Sequence, residues 1–184
     1  MSAGKSQELA RVHYNYKIKG ENVIVFVPSN DNRAGGGVVA ARSGERLLAT
    51  SVNPGTMRKW LKDNLDKQGD VACILVDETQ FFKRDDIFAL KEIAVIERNI
   101  PVIAYGLKSD FQANLFEGSQ ACLVVSEEIT EIMTVCAFCN KKAIMNMRFK
   151  DGVPVKDGEQ IMIGDEEYKQ VCHRHYLQDD LRLE

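Results

Sequence analysis

Long apolar runs are missing from the 184 residues: no stretch approaches the roughly 18–20 apolar residues that a membrane-crossing helix needs. Nor does charge lean strongly one way. The 24 basic and 27 acidic side chains leave a net charge of −3 and a pI near 5.7, without the basic excess of a protein that holds a nucleic-acid backbone. Four prolines and 13 glycines are too few for a collagen-like or low-complexity chain. The opening Met1-Ser2-Ala3-Gly4-Lys5-Ser6 lacks the apolar centre of a secretory signal. Cysteine is scarce and odd in number, at five, and Cys73 and Cys122 sit inside apolar runs. A disulfide scaffold is therefore excluded, and a reducing, cytoplasmic setting is expected. With 45% hydrophobic and 28% charged residues, what remains is one globular domain with room for a small appendage.

The order of elements is legible at low resolution. Gln7 to Lys17 carries Leu9, Val12 and Tyr16 at helical spacing, with Gly20 as a stop. Val23 to Val27 and Val71 to Val76 are short continuous apolar runs, the pattern of strands covered on both faces. A glycine-rich loop spans Asn30 to Gly37. Helices are expected from Gly55 to Lys67, through Met57, Trp60, Leu61 and Leu65, and from Asp85 to Arg98, through Ile87, Leu90, Ile93, Ala94 and Ile96. Val102 to Tyr105 reads as a third strand and Cys122 to Val125 as a fourth. Strands alternating with helices imply a parallel α/β sheet with ligands at the strand C-terminal ends. Beyond about residue 130 short alternating runs are broken by Asp151-Gly152 and Asp157-Gly158, which predicts a small β-rich module. The expected division is a nucleotide-binding domain over 1–132 and a metal-binding domain over 133–184.

Two motifs carry phosphate chemistry. Ala3-Gly4-Lys5-Ser6 before a helix matches the second half of a Walker A loop. There, glycine lets backbone N–H groups approach phosphate, lysine reaches the β and γ oxygens, and the hydroxyl holds Mg²⁺. Alone, so short a fragment is also an ordinary helix start. About 70 residues later, however, a parallel-type strand ends in Asp77-Glu78, as a Walker B site requires: one carboxylate faces Mg²⁺ and the other an attacking hydroxyl. The two in this order favour a P-loop nucleotide enzyme over a surface Asp-Glu pair. An ATPase acting on nucleic acid is disfavoured by the acidic pI.

Cys136-x-x-Cys139 and Cys172-x-x-His175 form two pairs at the spacing that lets a tight turn present two ligands to one tetrahedral Zn²⁺. Four protein ligands leave no open position, so the site is expected to be structural. His175 is preferred to His173, which adjoins Cys172. The metal would tie off the 32 residues between Cys139 and Cys172, a loop long enough to suggest function. A thioredoxin-like redox role for Cys136 and Cys139 is weaker, since no such fold surrounds them. Phe81, Phe82, Phe111 and Phe116 read either as core or as an apolar clamp for a flat base.

Together these residues resemble the cellular-type thymidine kinase family over nearly the whole chain. The resemblance is carried by Met1-x-Ala3-Gly4-Lys5-Ser6, Asp31-Asn32-Arg33, Asp77-Glu78-Thr79-Gln80-Phe81-Phe82, Tyr105 to Phe111, Phe116-Glu117-Gly118-Ser119, the four zinc ligands, and Ile163-Gly164 with Tyr168. It implies ATP-dependent phosphorylation of the 5′-hydroxyl of thymidine or deoxyuridine by a homotetramer that thymidine triphosphate inhibits. By the same resemblance Ala3, Gly4, Lys5, Ser6, Asp31, Arg33, Asp77 and Gln80 would serve ATP and Mg²⁺, and Glu78 would be the general base. Met1, Phe81, Leu107, Phe111 and Phe116 would wall the base pocket. Gln160, Ile161, Met162, Ile163 and Gly164, with Tyr168, match the family's lasso over the nucleoside, anchored by the zinc ligands. The sequence departs from the family pattern twice: the second glycine after Ile163-Gly164 is replaced in a segment one residue shorter, and the first Walker A glycine with its strand is absent. The second departure leads to the expectation that the native protein begins about ten residues earlier, with an apolar strand and a glycine two residues before Met1. It also motivates the alternative of a catalytically silent nucleotide-binding or zinc-ribbon module.

Overall fold

The computed structural model describes residues 3–31, 37–40, 44, 46–160, 167–178 and 181–182. The chain divides into two units, one of Gly4–Leu107 with Phe116–Ile129, the other mainly of Lys108–Leu115 with the chain from Thr130 onward.

The larger unit is built on four parallel strands. β1 (Val23–Pro28) lies between β4 (Thr50–Val52) and β5 (Cys73–Val76), and β6 (Val102–Ala104) flanks β5 on its other side. Registers pair Ile24 with Ile74, Phe26 with both Val76 and Thr50, and Ile74 with Val102. Every residue of β5 is buried, which explains its uninterrupted apolar sequence: alternate side chains must serve both faces of the sheet. Ile24, Phe26, Ile74 and Val76 join a core with Met57, Leu61 and Leu65, which come from α2 (Met57–Asn64) and the 3₁₀ turn that follows it (Leu65–Gln68). On the other face α1 (Lys5–Lys17) meets β1, and Tyr16 of α1 reaches Cys73 of β5. α3 (Arg84–Ala89) continues as a π-helical segment over Leu90–Glu97. The wider turn leaves Leu90, Ile93 and Ala94 buried but turns Ile96, expected on the same apolar face, into solvent. The glycine-rich region leads into a hairpin of β2 (Val38–Ala40) and β3 (Arg46–Leu48), which the sequence reading did not anticipate.

The expected fourth strand at Cys122 to Val125 is instead the end of α4 (Glu117–Val125). A four-residue apolar run fits a strand or a buried helix equally well, and packing decides between them. Gly118, Ala121, Cys122 and Val125 recur at helical spacing and face the core, while Val124 points to solvent. Gly118 permits the close fit: a Cβ there would stand 2.2 Å from the carbonyl oxygen of Thr79.

The smaller unit is β-rich, as expected. β9 (Met145–Lys150) is central and antiparallel to both β10 (Val153–Val155) and β11 (Glu167–Val171), while β7 (Thr134–Val135) pairs with β8 (Lys142–Ala143). Asp151 and Gly152, at φ 51° and 74°, form the two-residue turn between β9 and β10, a conformation that an Asp-Gly pair adopts at little cost. Met147, Phe149 and Val171 pack with Cys136 and Cys172 at the centre. A one-turn helix, α5 (His173–Tyr176), follows. Among the described residues no helix is long and apolar enough to cross a membrane.

Candidate active site and metal centre

Strand β5 delivers two carboxylates to its C-terminal end. Asp77 still belongs to the ladder, since its N–H donates to the Phe26 carbonyl at 2.9 Å, and it is buried. Its Oδ1 accepts the N–H of Glu78 at 2.9 Å, and its Oδ2 accepts the Ser6 hydroxyl at 3.3 Å. Burial first, and then the charge of Glu78, push the Asp77 carboxyl up to about 6 against the pull of the Glu78 N–H, Lys5 and Ser6. A divalent cation beside such a buried acid favours its ionised form, so Asp77 is suited to hold the metal ion that accompanies a nucleotide's phosphates.

Opposite Asp77, Gly4 caps α1 at φ 83°, a left-handed conformation that an L side chain adopts only with strain. Lys5 and Ser6 form the first turn, so their N–H groups lie at the positive end of a 13-residue helix. The two halves of the phosphate motif, distant in sequence, thus meet through the contact between Ser6 and Asp77. Ala3 precedes this turn. Asp31 lies just after β1, where its N–H donates to Pro28. Arg33 and Met1 lie outside the described residues.

Glu78 occupies a left-handed position at φ 50°. For a non-glycine residue this conformation costs energy, and such positions cluster at functional sites. Its Oε2 accepts from Gln80 Nε2, while Gln80 Oε1 accepts the N–H of Leu107 at 3.0 Å. The Ser119 hydroxyl donates to the Leu107 carbonyl at 2.5 Å, and Phe81 and Phe116 meet edge to face at 6.1 Å. Phe82, the remaining aromatic of this stretch, is fully buried core. Gly106 had no assigned role in the sequence reading, yet a Cβ there would stand 2.3 Å from Thr79 Oγ1.

The other expected nucleoside contacts belong to the smaller unit. Phe111 is buried, with the Arg148 guanidinium 4.8 Å from its ring centre and the Tyr168 ring edge-on at 6.4 Å. Its carbonyl accepts the Tyr176 hydroxyl at 2.8 Å. Buried Asp110, unassigned in the sequence reading, accepts the N–H groups of Gln112 and Asn114 through Oδ1 and the Gln160 amide through Oδ2. Gln160 is therefore tied at the base of the expected lasso, whose Ile161, Met162, Ile163 and Gly164 lie outside the described residues.

A candidate metal centre is assembled from two stretches of the smaller unit. The ligand atoms of Cys136, Cys139, Cys172 and His175 all lie within 4.8 Å of one another. His175 Nδ1 is 3.2 Å from Cys136 Sγ and 3.5 Å from Cys172 Sγ, and the Cys139 and Cys172 sulfurs are 3.9 Å apart. A tetrahedral Zn²⁺ with ordinary Zn–S and Zn–N distances has edges of about 3.5–3.8 Å; the three separations bracket that range, so shifts of a few tenths of an ångström would let this donor set hold the ion. The backbone N–H of His175 holds the Cys172 thiol below its ordinary value, favouring the thiolate that a metal requires. His173, the rejected neighbour, is exposed.

Known proteins match nearly the whole of this chain. A family model for thymidine kinase covers residues 1–176. The curated thymidine kinase of Lactiplantibacillus plantarum is 44% identical over 178 residues, spanning 96% of this chain and 91% of that protein. That of Lactobacillus acidophilus is 41% identical over 184 residues, spanning 96% and 92%, and that of Streptococcus pyogenes serotype M1 is 39% identical over 182 residues, spanning 98% and 95%. With the likeness running over residues 1–176, the chain belongs to the thymidine kinase family.

Proposed function

We propose that this protein transfers the γ-phosphoryl group of ATP to the 5′-hydroxyl of thymidine or deoxyuridine, yielding the nucleoside monophosphate for DNA synthesis. The observation that carries the reading is the division of labour at the end of β5. Asp77 is tied to the Ser6 hydroxyl, while the adjacent Glu78 is turned by its left-handed backbone into a separate network. Gly4 and Lys5 would take the ATP phosphates, and Ser6 and Asp77 would hold Mg²⁺, with Ala3, Asp31 and Arg33 completing the phosphate-binding set that the family resemblance supports. Bound Mg²⁺ neutralises charge on the phosphate oxygens. Glu78 accepts the 5′-hydroxyl proton as that oxygen bonds to the γ-phosphorus and the bond to the ADP oxygen breaks.

The family resemblance supports nucleoside recognition by Phe81, Leu107 and Phe116 of the larger unit, and by Met1, Phe111, Gln160 to Gly164 and Tyr168. Zn²⁺ at the four-ligand cluster is structural and anchors the segment between Cys139 and Cys172. The family resemblance further supports a homotetramer inhibited by thymidine triphosphate. Five free cysteines, three of them in the metal site, suit the reducing cytoplasm. The family match gives no support to a catalytically silent module.

ADP release measured with and without thymidine tests the reading directly: release is expected to depend on the nucleoside. Glu78→Gln should retain thymidine and ATP binding while turnover falls roughly 10²–10⁴-fold. Near-normal turnover in that variant removes Glu78 as the base.

A further inference from the structure

Gln80, which the family resemblance assigns to ATP and Mg²⁺, also bears directly on Glu78. It sits in the 3₁₀ turn Thr79–Phe81 and is only 3% exposed. Its amide orientation is forced by chemistry: the Leu107 N–H can only donate, so the group facing it must be Oε1, at 3.0 Å. Nε2 therefore faces the other way, where it donates to Glu78 Oε2. The surroundings hold this turn from several sides. Thr79 donates to the Tyr105 carbonyl through both its N–H and its hydroxyl, each at 2.9 Å. A Cβ at Gly106 would stand 3.0 Å from Gln80 Oε1, and one at Gly118 would stand 2.8 Å from the Phe82 carbonyl oxygen.

We propose that Gln80 is a positioning residue that fixes the Glu78 carboxylate for proton abstraction, using the Leu107 N–H as its own anchor. The inference rests on Glu78 being the base. A glutamate side chain has three rotatable torsions, and the backbone of Glu78 is already in a conformation that costs energy. Misplacing a reacting group by about 1 Å can cost on the order of 10²-fold in rate. A buried, orientation-locked amide removes that freedom.

Gln80→Glu keeps an oxygen for the Leu107 N–H but sets a second carboxylate against Glu78. Its kcat is expected to fall about 10–100-fold, with the KM values for ATP and thymidine within about threefold of the parent enzyme. Gln80→Met, which removes both hydrogen bonds, should lower kcat similarly in the parent enzyme but by less than about twofold in a Glu78→Gln background, because a residue acting through Glu78 has nothing left to position. Equal losses in both backgrounds, an unchanged kcat, or a KM for ATP that rises in proportion to the loss each overturn the inference. Should Gln80→Met fail to fold, Gln80→Glu decides alone. A Glu78→Gln enzyme with normal turnover removes the base assignment and this inference with it; a slow Glu78→Gln enzyme beside fast Gln80 variants removes only the inference.

Discussion

Asp77 shows how far a site can stand against the stability of its own fold. Its carboxyl rises from an ordinary 3.8 to about 6, chiefly through burial. Because the folded value exceeds the unfolded one, the associated stability is fully present below about 3.8 and is lost as pH rises through about 6. The difference corresponds to about 3 kcal/mol above that window. Asp77→Asn carries no such burden. It should melt at a higher temperature than the parent protein at pH 8, with the gap closing towards pH 4, while thymidine-dependent turnover is lost. Equal melting shifts at both pH values would show that ionisation is not the source. The Asp77-Glu78 pair was legible in the sequence because its chemistry is local: an apolar run followed by two acids. Gly106 and Gly118 stand in motifs that carry the resemblance but received no role of their own, because their function depends on the approach of Thr79, more than 25 residues away in sequence.

At the scale of elements, continuous apolar runs revealed β1 and β5, since strands buried on both faces leave no room for polar residues. The same signal misled at Cys122 to Val125, where contact with the turn after β5 favours a helix. β4 escaped notice altogether: Thr50, Ser51 and Val52 carry little apolar pattern, and they form a strand only because β1 offers them a ladder. Asp86 is the element-scale feature most hidden from sequence. Fully buried, it accepts the N–H groups of Gly55 at 2.7 Å, Met57 at 2.9 Å and Lys83 at 2.9 Å, joining the starts of α2 and α3. In sequence it is one of two adjacent aspartates at a helix start. Its neighbour Asp85 pairs with Arg58 at the surface, an arrangement worth about 1 kcal/mol or less. Asp86→Ala leaves three backbone donors without their acceptor and is expected to cost about 3–5 kcal/mol in urea unfolding. Asp85→Ala should cost no more than about 1 kcal/mol. Similar losses in the two variants would show that burial does not separate their roles.

For the molecule as a whole, the gathering of Cys136, Cys139, Cys172 and His175 into one cluster was the most legible feature, because two-residue spacers constrain geometry even before the fold is known. What the spacing could not reveal was the frame: Cys136, just after β7, and Cys172, just after β11, join one small core with Met147 and Phe149 of β9 and Val171 of β11. That core is too small to bury much apolar surface, so metal binding should supply much of its folding free energy. The larger unit has its own core and contains the single tryptophan, Trp60, packed edge-on to Phe26 with ring centres 4.7 Å apart. Trp60 fluorescence therefore reports on the larger unit, while cleavage at Lys141, Arg148, Lys150 or Lys156 reports on the smaller one. About one Zn²⁺ per chain is expected, and Cys136→Ser or Cys172→Ser should lose it while His173→Ala keeps it. Stripping the metal should make those lysine and arginine sites protease-sensitive, yet move the Trp60 melting transition by no more than a few degrees. A Trp60 transition that collapses together with the proteolytic protection would mean that the metal supports both units, and that the larger core is not independently stable.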